Sequence, residues 1–124
     1  MKTATKDESP SLTRGDGLVS HLLHTASDDV PDTQLTVTWV EVEPGASQME
    51  HSHEPEQVYV IVSGEGIMRV GEDERRVESG DLARIPSNTE HGIENTGDTT
   101  LEYVSAATPS FPIEEVEEFY GEDS

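Results

Sequence analysis

Turn-forming residues interrupt this chain at short intervals, and between them apolar residues recur at every second position. The run "QVYVIVSGEG" (57–66) sets β-branched and aromatic residues ahead of two glycines. "QLTVTWVEVEPG" (34–45) alternates Leu35, Val37 and Trp39 with Thr36, Thr38 and Val40, then closes on Pro-Gly. "IMRVGEDERRV" has the form of a hairpin with Gly71, Glu72 and Asp73 near its tip. "LVSHLLH" (18–24), "DLARIP", "EHGIEN" and "TTLEYVSAA" read as further short strands. A period of two along a strand sends alternate side chains to opposite faces. Many such segments at close spacing predict an all-β sandwich or barrel. Helical spacing occurs only in "IEEVEEFY", where Ile113, Val116 and Tyr120 follow Pro112, so a short C-terminal helix is expected there.

With 124 residues the chain suits one domain. Residues 1–14 are polar and aperiodic and read as a flexible arm, 15–110 as the β-barrel, and 111–124 as a helical segment with an acidic tail. There is no cysteine, which excludes disulfides, thiolate metal sites and thiol nucleophiles. No secretory signal or apolar span is evident, so a cytoplasmic location without membrane association is expected. Against 27 acidic residues stand only 7 Lys and Arg, for a net charge of −20. Such a surface repels nucleic acid and anionic lipid. At about 1 M salt the Debye length falls to about 3 Å and self-repulsion is screened. The composition therefore suggests a protein of a halophile's cytoplasm.

Two of the five histidines, His51 and His53, stand two apart at the mouth of a strand. If that segment is extended, both imidazoles project from one face. Gln57 begins the next apolar run, and a turn through "EPE" brings its amide oxygen toward the two rings. A third histidine, His91, follows a second turn-rich segment, "GDLARIPSNTEHGIEN". Three neutral imidazoles and one side-chain oxygen suit a divalent transition metal. Isolated His-x-His pairs are common on surfaces and bind nothing specific; the second segment is what lifts this pair.

Together the two segments resemble the cupin motifs of a small single-domain cupin, which implies an antiparallel jelly-roll barrel. The first reads Gly45, His51, His53, Gln57, Gly64, with five, one, three and six residues between. The second reads Gly80, Pro86, Asn88, His91, Asn95. Asn88 stands where the family has glycine, and asparagine tolerates the positive φ such a turn needs. Gln57 stands where the family has glutamate. The carboxylate of Glu56 is one residue out of phase and points to the opposite strand face, so Gln57 is the expected ligand. The resemblance implies a metal held by His51, His53, Gln57 and His91. Four neutral donors leave the full charge on the ion, a stronger Lewis acid held less tightly. Its identity stays open among Fe, Mn, Ni, Zn and Cu. The resemblance also implies a small-molecule ligand in the barrel, with dioxygenase, isomerase, decarboxylase or lyase chemistry, or else metal-dependent binding or sensing without turnover.

If Gln57 faces inward, so do Tyr59 and Ile61, and Ile93 follows from His91, giving a mostly apolar cavity. Tyr59 is the candidate for a catalytic or ligand-binding hydroxyl, though packing alone accounts for a strand aromatic. Trp39, Met49 and Met68 read as core. Arg84 suits an anionic substrate or, more simply, a surface carboxylate. His21 and His24, three apart, are not expected to join the metal set. Ser52, Ser63 and Ser79 have no base beside them and form no acyl-transfer triad. The outward-facing Val58, Val60 and Val62 need cover, and the resemblance implies a homodimer.

Overall fold

The computed structural model describes residues 1–14, 17–52 and 54–110. Ten strands follow one another: β1 (Ser11–Arg14), β2 (Leu18–His24), β3 (Thr36–Val42), β4 (Ser47–His51), β5 (Glu56–Ser63), β6 (Glu65–Val70), β7 (Asp73–Glu78), β8 (Leu82–Ile85), β9 (His91–Asn95) and β10 (Leu101–Thr108). They pair antiparallel into a six-stranded sheet, β1-β2-β3-β10-β5-β8, and a four-stranded sheet, β4-β9-β6-β7. This is the all-β architecture that the strand pattern predicts and the jelly roll that the resemblance implies. The helix expected from "IEEVEEFY" lies outside the described residues.

The core sits between the two sheets. Val40, Val42, Tyr59, Ile61, Leu101 and Tyr103 from one face Met68, Val77 and Ile93 from the other. On β5 the buried positions are Gln57, Tyr59 and Ile61, while Val60 and Val62 stay 39% and 38% exposed. Burial of the inward side chains, at about 25 cal/mol per Å², is what holds the sheets together.

Two details differ from the sequence reading. The last four residues of the segment read as an arm, Ser11–Arg14, pair with β2 and bury Leu12. On β3 the inward set is Thr36, Val40 and Val42, and Trp39 lies half-buried on the outer face rather than in the core. Both faces of β3 hold apolar residues, so alternation alone could not choose between them. Lys6 settles part of the matter: its ammonium lies 5.3 Å from the Trp39 ring centroid, and the indole Nε1 donates to Glu102 at 2.8 Å.

Two turn positions are sterically demanding. Gly64 has φ of +86°, and a Cβ there would meet Leu101 Cα and Thr100 O at 2.8 Å. Gly66 is crossed so closely by Glu94 O on β9 that no side chain fits. Asn88, in the place of the family's glycine, takes φ of 58°.

Candidate functional site

The inner face of the six-stranded sheet reads in rows. Thr36, Ala107, Gln57 and Ile85 lie in line across β3, β10, β5 and β8. The next inward row passes through Ser105 and Tyr59. Gln57 and Ser105 are thus diagonal neighbours, a separation long side chains span. Gln57 Nε2 donates to Ser105 Oγ at 3.0 Å. That bond turns the amide oxygen away from Ser105. Gln57 Oε1 is buried and has no hydrogen-bond partner among the described residues. A buried amide oxygen left in this state costs about 1–3 kcal/mol.

His91 opens β9 on the opposite sheet and is fully buried. Its Nδ1 lies 2.9 Å from the carbonyl oxygen of Thr89. A carbonyl only accepts, so Nδ1 carries the proton and Nε2 of the neutral ring presents its lone pair. Tyr59, two residues from Gln57 on the same inner face, sets its ring edge-on to His91, with centroids 5.9 Å apart.

Position 51 is directly opposite His91 in the β4–β9 ladder. Between Gln48 and His51 the register slips: three steps on β4 span two on β9, from Gln48↔Ile93 to His51↔His91. One extra residue of this kind is a β-bulge. Without it, position 50 would oppose His91. Opposed positions in an antiparallel ladder share a face, so the bulge brings position 51 to the face of His91. His53 and the side chain of His51 lie outside the described residues. Among the described residues no group of three His, Cys, Asp or Glu is placed to hold a metal. Of the four expected ligands, Gln57 and His91 are seen turned into the barrel interior.

Glu56 points the other way. Its Oε2 accepts from Arg84 Nε at 2.7 Å, both side chains largely exposed. Arg84 is thereby an outer-surface partner. His21 pairs with Glu41 at 2.7 Å, and His24 with the Thr33 hydroxyl at 2.6 Å. Met68 is in the core. Asn95 donates through Nδ2 to the carbonyls of Val42 and Thr99 and accepts from Gly97 N, so it braces the turn into β10. A cleft of about 190 Å³ where the edges of β7 and β8 face each other is lined by Val70, Arg75, Val77 and Ala83 among others. It contains none of the expected ligands.

The interior is more polar than the expected apolar cavity. Thr25, Thr36 and Ser110 bring three hydroxyls within 2.8–3.2 Å of one another. Tyr59 and Tyr103 stack with centroids 4.3 Å apart, and both phenols donate to Gln48 Oε1, at 3.2 and 2.7 Å. Sequence reasoning missed Ser105, Gln48, Tyr103 and the hydroxyl trio. Alternation on β10 from Leu101 through Tyr103 to Ser105 was the available signal for Ser105. What it could not supply was the strand that β10 pairs with.

The electrostatics of the outer face centre on Glu102. Burial pushes its carboxyl pKa up, but hydrogen bonds from Trp39 and Ser63 together with the Lys6 ammonium outweigh that and hold it below the ordinary carboxylate range.

Comparison with known proteins agrees with this architecture. The cupin domain family matches residues 38–107, and the chain belongs to that family. It is 29% identical over 118 residues to an uncharacterised protein of Methanocaldococcus jannaschii, covering 94% of this chain and 93% of that one. Over 93 residues it is 30% identical to an oxalate-binding protein of Thermotoga maritima, covering 74% and 75% of the two. Among solved structures, an RmlC-like cupin from Shewanella frigidimarina superposes with a TM-score of 0.76 at 20% identity, over 89% of this chain and 92% of that one. No helix among the described residues is long and apolar enough to cross a membrane.

Proposed function

We infer that this chain is a metal-dependent cupin that holds a small, oxygen-rich molecule against an ion inside its barrel and acts on it there. His51, His53, Gln57 and His91 would hold a divalent transition metal. One observation supports this above the rest: a buried amide oxygen, Gln57 Oε1, has no hydrogen-bond partner among the described residues. Native interiors rarely leave such a group stranded, and a cation is the partner this oxygen fits. The Nδ1–Thr89 bond agrees, because it leaves the His91 lone pair on Nε2. When bound, the ion supplies Lewis acidity toward an oxygen of the ligand, undiminished by any carboxylate in its own shell. The chain's own part is to exclude water, to orient the ligand with Tyr59, Tyr103 and Gln48, and to keep the amide and imidazole donors aimed. Dioxygenase, isomerase, decarboxylase and lyase chemistry all fit such a site.

A second reading, binding or sensing without turnover, is favoured by the name of the Thermotoga maritima relative, an oxalate-binding protein. It is favoured too by the Tyr59 phenol, which is already hydrogen-bonded to Gln48. Oxalate titrated into the metal-loaded protein separates the two: heat of binding with oxalate recovered intact supports the second reading, and its conversion supports the first.

Elemental analysis of protein purified in high salt tests the metal itself. We expect about one equivalent per chain, sharply reduced in His51→Ala. Less than a tenth of an equivalent, with no uptake on reconstitution, ends the metal reading.

Val60, Val62 and Leu82 form an exposed apolar patch, with Val60 and Leu82 paired across β5 and β8. A second copy of the chain covering it would give the expected homodimer, and Val60→Lys should then shift the sizing profile to monomer. The acidic composition fits a cytoplasm rich in salt.

A further inference from the structure

We propose that Ser105 is a positioning residue: its hydroxyl decides which end of the Gln57 carboxamide faces the metal site. The inference rests on the metal reading above and adds to it a residue that no cupin motif contains. A carboxamide has two ends of nearly equal size and opposite chemistry. The oxygen offers lone pairs, while the NH2 group offers only hydrogens, which a cation repels. A half-turn about the last torsion of Gln57 exchanges them, and side-chain length alone does not choose.

In this protein the choice is made by β10. Ser105 Oγ, itself buried, accepts from Gln57 Nε2 at 3.0 Å. The NH2 end is thereby satisfied, and Oε1 is the end left buried and without a hydrogen-bond partner among the described residues. Without the hydroxyl, turning the oxygen toward a cation strands a buried NH2 group. The protein must then bear that penalty each time it takes up the ion. A partner of this kind acts through the ligand it holds, and losing it weakens metal affinity roughly 10- to 100-fold. A glutamate in place of Gln57 needs no such choice, because its two oxygens are alike. The substitution that departs from the family pattern is therefore the one that gives Ser105 its task.

The test is a double-mutant cycle on the whole chain, with Co(II) as probe and its visible absorption as the readout of affinity. Ser105→Ala is expected to weaken Co(II) about tenfold or more in the parent. In the Gln57→Ala background, where no amide remains to be oriented, Ser105→Ala is expected to leave Co(II) affinity unchanged within about twofold. Near-UV circular dichroism establishes that each variant is folded. A second readout needs no metal: the Gln57 side-chain NH2 resonances in the 15N–1H spectrum should exchange with solvent faster in Ser105→Ala. Equal losses in the two backgrounds, or NH2 exchange unaffected by Ser105→Ala, would overturn the positioning role while leaving the metal site standing. A parent protein that takes up no Co(II) would overturn both readings.

Discussion

Replacing Gln57 by leucine together with Ser105 by alanine should make the metal-free protein more stable, which is the reverse of what removing a buried hydrogen-bonded pair normally does. The parent leaves Oε1 buried without a hydrogen-bond partner among the described residues, a penalty of about 1–3 kcal/mol. Leucine removes that oxygen. With both partners replaced, the bond from Nε2 to Ser105 is lost as well, at a net worth of about 0.5–1.5 kcal/mol, and no buried hydroxyl is left stranded. The site is only 8% exposed, so an apolar side chain stays out of water. The balance favours the variant by about 1 kcal/mol, taking the middle of both ranges. Urea unfolding of chelator-treated protein in molar potassium chloride reads this directly. The midpoint should rise by roughly 0.5 M with the slope unchanged, for a slope of about 2 kcal/mol per M. Adding metal to a hundred times its dissociation constant stabilises the parent by about 2.7 kcal/mol and the variant far less, so the order of stabilities reverses. If the metal-free variant instead proves less stable by 1 kcal/mol or more, Gln57 Oε1 has a partner in the native state, and the argument from a stranded oxygen fails.

Three other outcomes follow from the structure. Gly66→Ala drives a Cβ into Glu94 O on the neighbouring strand, and neither backbone can retreat without breaking the β6–β9 ladder, so a loss of about 2–3 kcal/mol is expected in urea unfolding; a loss under 0.5 kcal/mol would show that the strands can part. Glu102, held below the ordinary carboxylate range, contributes stability that is present above its unfolded-state pKa and lost as pH falls through the lower folded value. Trp39→Phe removes the indole donor, so the Glu102 carboxyl should titrate at higher pH in a 13C experiment, and an unchanged midpoint would refute the role given to that bond. Finally, stability should rise between dilute buffer and molar potassium chloride, because screening shortens from about 10 Å to about 3 Å across a surface of net charge −20; equal unfolding midpoints in the two would remove the basis for the halophile reading.

Strand existence was legible because it is local. The runs 18–24, 57–63 and 101–108 contain their own period, and the turns between them hold Gly, Pro, Asn and Asp. Strand phase was legible on β5, where Gln57, Tyr59 and Ile61 turn inward and Glu56 turns out to Arg84. It was not legible on β3, whose two faces are both apolar because Lys6 and Glu102 engage Trp39 on the outside. Nor was the slip in β4 visible: a bulge is an agreement between two strands 40 residues apart, and "SQMEH" alone holds no sign of it. The strand β1 was missed because "SLTR" offers a single apolar residue. The polar interior beyond Gln57 depends on β10 lying between β3 and β5, a non-local pairing that sets Ser105 against the amide.

Anomalous diffraction from crystals of the protein reconstituted with one transition metal locates the ion against its ligands. A single strong peak is expected in the barrel, about 2.0–2.2 Å from His91 Nε2 and from Gln57 Oε1, with His51 and His53 completing the set. A peak held by Glu56 or other surface carboxylates, or a barrel with no peak at full reconstitution, would contradict that ligand set.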